Sequence, residues 1–210
     1  MSARAIVFDL DGTLVDSLPD IVGAFRDAFA EFGMAAPAEA AVRAHVGLPL
    51  EAMYAAFAPS ARVADLAAAY RRIYPERFTR QTRPFAGVPE ALATLRARGF
   101  RLAVATTKRS DMARRLVAAL RLDAALDVVQ GTDGFPHKPA PDVVLRALAA
   151  LDAEGVWMVG DTVHDIEAGR AAGLATYAVT WGTHDADRLR AARPDRLEES
   201  LDALLAATSG

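Results

Sequence analysis

The sequence predicts an α/β protein with a Rossmann-like core, a parallel sheet with helices on both faces, interrupted by an all-helical insertion. Three observations carry that expectation. From residue 84 onward, short apolar runs alternate with helical patterns of about ten to fifteen residues, the mark of a parallel sheet. The block 17–83 has helical periodicity and nothing that reads as a strand. Polar residues collect where the apolar runs stop, at Asp9 and Asp11, Thr106, Gly131 and Asp133, and Asp161. In open α/β sheets that edge is where ligands bind.

Residues 3–8 are the first strand, because Ala5-Ile6-Val7-Phe8 is an apolar run ending at a turn. Asp9 and Asp11 follow at i and i+2, so both leave the strand on one side, and Gly12 lets the chain turn away. Over 17–33, Ile21, Phe25, Ala28, Phe29 and Phe32 recur at spacings of three and four, and Gly33 fits a helix end. The aromatic stripe Phe25, Phe29, Phe32 reads as the core of the insertion. After Pro37 a short helix covers 38–45, and Gly47-Leu48-Pro49 breaks the chain again. Helical patterns cover 50–57 and 63–78 on either side of Pro59-Ser60. The period changes after 82–87. Helix 88–98 ends at Gly99, strand 101–105 ends at Thr106-Thr107-Lys108, helix 111–120 follows, and strand 126–129 ends near Gly131 and Asp133. Helix 139–151 starts at two prolines, which the first turn tolerates. Strand 156–159, helix 166–172 stopping at Gly173, strand 174–179 and two terminal helices, 185–192 and 197–206, complete the chain. The core is therefore expected in 1–15 and 84–210, and the helical insertion in 16–83.

Composition narrows the chemistry. With 210 residues, 52% of them apolar, the chain can bury a sizeable core as one large domain or a core with an accessory one. A net charge of -3 gives no electrostatic case for nucleic acid or an anionic membrane. The absence of cysteine excludes disulfides, a thiol nucleophile and zinc sites built on Cys. No signal-like apolar region opens the sequence, and no stretch approaches the ~20 apolar residues of a membrane span. A cytoplasmic protein, monomer or homodimer, is the expectation. Among the basic residues lysine occurs only at Lys108 and Lys138, and asparagine does not occur. Coding bias accounts for that, but it draws attention to the two compact point charges, suited to a phosphate or a carboxylate cluster.

Two carboxylates held as close as Asp9 and Asp11 persist only with a cation between them or a proton on one. Mg²⁺ suits such a pair, because it prefers carboxylate oxygens and joins them to a substrate phosphate. The alternative is a polar turn capped by Asp, which the apolar run before the pair and Gly12-Thr13 after it disfavour.

Four stretches fall on one edge of the expected sheet: 9–17, Thr106 with Lys108 nearby, Lys138 before Pro139-Ala140-Pro141, and 160–165. In this order and over almost the whole chain, they resemble the haloacid dehalogenase-like superfamily in its magnesium-dependent phosphatase branch. Asp-Gly-Thr-Leu-Val-Asp-Ser, Val46-Gly47 and Thr180-Trp181-Gly182 are similar to phosphoglycolate phosphatases and their near relatives. The helical insertion corresponds to that family's cap.

The resemblance implies roles. Asp9 is the nucleophile that takes the phosphoryl group as an aspartyl-phosphate. Asp11 protonates the leaving oxygen and then takes a proton from the hydrolytic water, while its backbone carbonyl reaches the metal. Thr106 hydrogen-bonds the transferring group and Lys138 neutralises nucleophile and phosphate. Asp161 ligates Mg²⁺ and Asp165 orients the metal's shell. Gly12 and Thr13 bind substrate beside the nucleophile. Thr107 stands where relatives often carry Asn; its hydroxyl replaces one amide hydrogen bond and not all of them. Physical reasoning agrees: a carboxylate attacking a phosphate dianion meets like-charge repulsion, which Mg²⁺, Lys138 and backbone N–H groups around Gly12 offset. A carboxylate nucleophile splits one hard hydrolysis into two steps.

The expected activity is hydrolysis of a small phosphomonoester, 2-phosphoglycolate first. Inorganic pyrophosphate and nucleotide or sugar phosphates are alternatives, followed by a phosphosugar mutase and a non-catalytic binding module on the same fold. Gly12-Thr13 disfavours the mutase, Asp11 a dehalogenase, and the lack of lysine in 17–83 a phosphonate hydrolase. Arg43 and His45 are the cap's candidate contacts to an anionic substrate, against the alternative of a solvated helix face. Lys108 is balanced between site and solvent. Asp161 and Asp165, four apart, carry a second reading as helix-capping acids, and Asp16 reads as an N-cap. His137 and His164 are not offered as catalytic, and Trp181 reads as packing.

Overall fold

A computed structural model describes residues 3–209 of the chain. Strand β1 (Ala3–Phe8) is buried from Ala5 onward and leads through a tight loop to β2 (Val15–Asp16). Four helices follow: α1 (Leu18–Glu31), α2 (Glu39–Arg43), α3 (Leu50–Ala55) and α4 (Ser60–Ile73). Pro75, which lacks an N–H to continue the helical ladder, sits in a 3-10 turn at Tyr74–Glu76. The block closes on β3 (Arg83–Pro84), antiparallel to β2, with Val15 opposite Pro84 and Asp16 opposite Arg83. Strands and helices then alternate: α5 (Val88–Ala97), β4 (Arg101–Ala105), α6 (Ser110–Ala119), β5 (Val128–Gln130), α7 (Asp142–Leu151), β6 (Ala153–Gly160), α8 (Val163–Ala171), β7 (Ala175–Val179), α9 (Ala186–Ala191), β8 (Arg196–Glu198) and α10 (Asp202–Ala207).

Six strands form one parallel sheet in the order β5-β4-β1-β6-β7-β8. β1 lies between β4 and β6, and both its faces are covered, which is why it reads as an unbroken apolar run. Ile6 and Phe8 face Leu92 and Leu95 of α5, Leu116 of α6 and Leu204 of α10. Ala5 and Val7 face the other way, with Ala103 and Ala105 of β4, toward Val143, Val144 and Ala147 of α7. The alanines on that face leave room for α7 to approach. Burial of each large side chain here is worth ~1.5–3 kcal/mol, and the two faces together fix the end of β1.

The helical block 17–82 has an apolar cluster of its own, built on Leu18, Ile21, Phe25, Phe29, Tyr54 and Leu66. Phe25 and Tyr54 stack with ring centroids 4.0 Å apart, and Phe78 packs against this cluster and the main one. Asp20, buried in the first turn of α1, ties the block's two ends together. Its Oδ2 accepts from the Gln81 and Thr82 amides at 2.9 and 3.0 Å and from Thr82 Oγ1 at 2.9 Å.

Several elements differ from expectation. Residues 197–206 are not one helix: Arg196–Glu198 adds an edge strand to the sheet, and the helix begins only at Asp202. The leucines of this segment have helical spacing, but parallel pairing with β7, Leu197 opposite Ala178, overrides it. The β2–β3 ribbon went unexpected because two-residue strands carry no period. Helix α7 starts at Asp142, after both prolines. Phe32 does not join the aromatic core; it is 37% exposed, with the Arg62 guanidinium over its ring. Asp16 is a strand residue and not an N-cap; the N-cap position of α1 is Ser17, whose side chain makes no capping bond. Among the described residues, no helix is long and apolar enough to cross a membrane.

Candidate active site

The loop after β1 is set by backbone bonds. The Asp9 amide donates to the Val159 carbonyl at 2.8 Å, prolonging the β1–β6 ladder by one residue. The Leu10 carbonyl then accepts from the Thr13, Leu14 and Val15 amides, which curls the chain. Gly12 sits at φ 89°, in the region only glycine occupies freely. A side chain there would also run into the Asp161 carboxylate, and one on Gly182 would strike Asp161 and the Gly12 carbonyl. Close approach, as well as turning, requires these glycines.

Asp9, Asp161 and Asp165 meet beneath this loop. One oxygen from each lies within 4.8 Å of the others, and all three side chains are buried. Lys138 is buried with them. Its ammonium donates to Asp9 Oδ1 at 2.6 Å, Asp165 Oδ1 at 2.5 Å and the Ala105 carbonyl at 3.1 Å, which uses all three of its protons. Asp161 accepts from Thr13 Oγ1 at 2.6 Å and from the Thr183 amide at 2.7 Å. Asp165 has two tasks. Its Oδ2 accepts from the Thr162 amide and hydroxyl, while Thr162 caps α8 by accepting from the Asp165 amide. The helix-capping reading of Asp165 holds, and its other oxygen bonds to Lys138 beside Asp9 and Asp161.

Asp11 takes another direction. Its Oδ1 accepts from Ser17 Oγ at 2.5 Å and its Oδ2 pairs with Lys108 Nζ at 3.0 Å. Its side chain stands outside the three-carboxylate group, leaving only its backbone for a metal there. Lys108 is not a solvent-facing residue. It also donates to Tyr74 Oη at 3.1 Å and lies 4.6 Å from the centre of that ring. Thr106 is buried at the end of β4, its hydroxyl accepting from the Lys108 amide at 3.2 Å. Thr107 Oγ1 is buried without a partner among the described residues.

Asp9, Asp11, Thr106, Thr107, Lys108 and Lys138 all line one cavity of about 880 Å³ between the sheet edge and the helical block. The block's share of the wall is Val46–Leu48, Tyr70, Arg71 and Tyr74 among others. Arg43 and His45 take no part in it. Arg43 pairs with Glu39 at 3.6 Å on the surface, and His45 donates within its own helix end to the Ala41 carbonyl or packs its edge on Phe57. The anionic-contact expectation for Arg43 is thus corrected: a helix one turn long points it to solvent. Thr13 is also redirected, since its hydroxyl is spent on Asp161. Ser17, Tyr74, Thr162 and Thr183 hold site residues in place and were not singled out from sequence. Ser17 sits inside the first motif and was within reach; a tyrosine at the end of a helical pattern reads only as core. Trp181 packs near Phe85, and its Nε1–H donates to the Thr13 carbonyl at 3.2 Å.

Electrostatics give the centre its character. Burial pushes the Asp9 carboxyl up to about 8; Lys138 pulls against this, and Asp165 and Asp161 add to it. Burial, then Asp165, lifts Asp161 to about 6 despite bonds from Thr13 and Thr183. Burial alone would lower Lys138, but Asp165 and Asp9 outweigh it and hold the ammonium well above its ordinary value. Three buried carboxylates thus share one ammonium. The deficit of positive charge fits a divalent cation bound by oxygen ligands, with Asp161 the acid that no ammonium reaches.

The family model described as haloacid dehalogenase-like hydrolase matches residues 6–179. The chain is 38% identical to the protein named "Probable phosphatase IndB" of Dickeya dadantii, over 96% of this chain and 92% of that one. It is 34% identical to a phosphoglycolate phosphatase of Aquifex aeolicus, over 85% of each. A solved haloacid dehalogenase-like hydrolase of Streptococcus pneumoniae superposes with a TM-score of 0.90 at 29% identity, covering 98% of both chains.

Proposed function

Because the chain belongs to the haloacid dehalogenase-like hydrolase family and is a phosphoric monoester hydrolase, we propose that it hydrolyses a small phosphomonoester, 2-phosphoglycolate first, with Mg²⁺ and through an aspartyl-phosphate on Asp9. The observation that carries this reading is the divergence of the two motif acids. Asp9 joins the buried cluster with Lys138, whereas Asp11, two residues on, turns to Ser17 and Lys108. In this reading one carboxylate attacks phosphorus and the other transfers the proton.

Lys138 holds one oxygen of Asp9 and leaves the other for attack on phosphorus. The bond from phosphorus to the leaving oxygen breaks, and Asp11 delivers a proton to that oxygen. Asp11 then takes a proton from the water that attacks the aspartyl-phosphate, and Asp9 is restored as phosphate departs. Thr106 and the backbone N–H groups around Gly12 surround the transferring oxygens. Asp9, Asp161 and the Asp11 backbone would hold Mg²⁺, with Asp165 orienting the shell. When bound, the ion neutralises charge on the transferring group. Residues 16–83 act as a cap that excludes water from the charged centre.

The choice of 2-phosphoglycolate is supported by the likeness to the Aquifex aeolicus phosphatase. The same proposal has a cytoplasmic protein, monomer or homodimer, acting on a phosphorylated metabolite with neither nucleic acid nor membrane as partner. Phosphate release from a panel of phosphate esters and pyrophosphate, with and without Mg²⁺, tests it. Mg²⁺-dependent turnover with 2-phosphoglycolate among the best substrates is expected; turnover unaffected by chelation, or none on any ester, would overturn it.

A further inference from the structure

We propose that Lys108 selects substrates bearing a second anionic group and grips that group, a carboxylate or a second phosphate, while the first phosphoryl group is transferred. This rests on the phosphatase reading above.

The two lysines of the chain divide the cavity between them. Lys138 is committed to Asp9 and Asp165, on the side of the transferring phosphoryl group. Lys108 Nζ lies 3.0 Å from Asp11 Oδ2. A cation touching the acid that protonates the leaving oxygen stands beside the leaving group. Its amide donates to Thr106 Oγ1, so its backbone is anchored at the phosphoryl-binding threonine and only the side chain reaches onward.

Its surroundings suit an anion. Among the described residues, Nζ has Asp11 and Tyr74 Oη as partners, and an ammonium has three protons to give. Thr107 Oγ1 and His137 Nδ1, buried without partners among the described residues, belong to residues that line the same cavity. Of the other cations at the wall, Arg71 pairs with Glu51 and Arg109 with Asp111, while Arg114 and Arg115 are exposed to solvent. The Lys108 side chain is only 10% exposed, and the Tyr74 ring shields it, so an ion pair there is strengthened by the low local dielectric. The cavity of about 880 Å³ has room for much more than a phosphoryl group.

The test compares kcat/KM for 2-phosphoglycolate, pyrophosphate and 2-hydroxyethyl phosphate, the last matching the first in length but ending in a neutral group. Wild-type protein is expected to favour at least one anionic substrate over the neutral ester. Lys108→Met should cut that preference by about 10–100-fold, the worth of one buried charge-assisted contact, and Lys108→Arg should restore part of it. If Lys108→Met does not fold by circular dichroism, Tyr74→Phe, which removes one hydroxyl, should lower the same ratio. Equal losses on all three substrates would overturn the proposal, because Lys108 would then act only through Asp11; so would a wild type indifferent to the second charge, or a preference unchanged in every variant. A preference for pyrophosphate that vanishes in Lys108→Met supports Lys108 as the selector while removing 2-phosphoglycolate as substrate. A 2-phosphoglycolate preference that survives in Lys108→Met does the reverse.

Discussion

Lys138 and Asp9 meet at 2.6 Å although 129 positions separate them in sequence. The contact joins the end of β1 to the loop before α7 in a buried setting. Lys138→Met should therefore leave Asp9 and Asp165 as buried acids with no ammonium between them, and destabilise the fold by about 3–5 kcal/mol. Urea unfolding measures this. A loss below about 1 kcal/mol would mean that the pair matters to the chemistry and hardly to the fold.

Asp9→Asn should behave in the opposite way. Lys138 retains Asp165 Oδ1 and the Ala105 carbonyl, so the variant should keep its melting temperature while turnover falls by about 10⁴-fold or more. Asp11→Asn should still form the aspartyl-phosphate, slowly, and hydrolyse it slowly. Rapid-quench measurement of the acid-precipitated phosphoprotein separates the two; a folded Asp9→Asn protein with normal activity would sink the nucleophile assignment.

The carboxyls of Asp9, at about 8, and Asp161, at about 6, stand above their ordinary 3.8. Between the unfolded and folded values the folded protein binds more protons than the unfolded chain. Stability of the metal-free protein should thus fall as pH rises from about 4 to about 8. Mg²⁺ favours the ionised forms, so it should raise the melting temperature more at pH 8 than at pH 6, and its binding at pH 7 should release about one proton. Calorimetry in buffers of different ionisation heats counts that proton. Proton uptake, or a Mg²⁺ effect independent of pH, would contradict the scheme.

Gly12→Ala places a methyl group against the Asp161 carboxylate at a backbone angle that alanine rarely adopts. Apparent Mg²⁺ affinity in the activity assay should weaken by about 10–100-fold, as happens when metal-site support is disturbed. Unchanged Mg²⁺ dependence would show that Asp161 does not need its present position.

Arg43→Ala should alter kcat/KM by less than about twofold, because Arg43 makes an exposed pair with Glu39 away from the cavity. A large rise in KM would restore it as a substrate contact.

Legibility in the sequence followed the physics of each segment. β1 and its acids were readable because full burial on both faces writes an unbroken apolar run, and a carboxylate pair ending it has few uses. Lys138 was readable through its rarity and the prolines after it. The strand at Arg196–Glu198 was hidden, because three residues at a sheet edge carry less signal than the leucine spacing around them. Lys108 was undecidable, since only tertiary packing brings Tyr74 from the helical block over it. Arg43 misled because charge alone says nothing about which way a five-residue helix faces.

The β2–β3 ribbon has a consequence for ancestry and engineering. The chain enters the helical block at Val15 and leaves it at Pro84, its register partner in the ribbon, so the departing and returning ends are neighbours whatever lies between them. A loop of any length spanning that gap preserves the order of the six strands, and closing a longer one costs entropy that grows only logarithmically. The helical block is therefore an exchangeable module. Grafting another protein's insertion between Asp16 and Arg83 changes what reaches the cavity without rewiring the centre that does the chemistry.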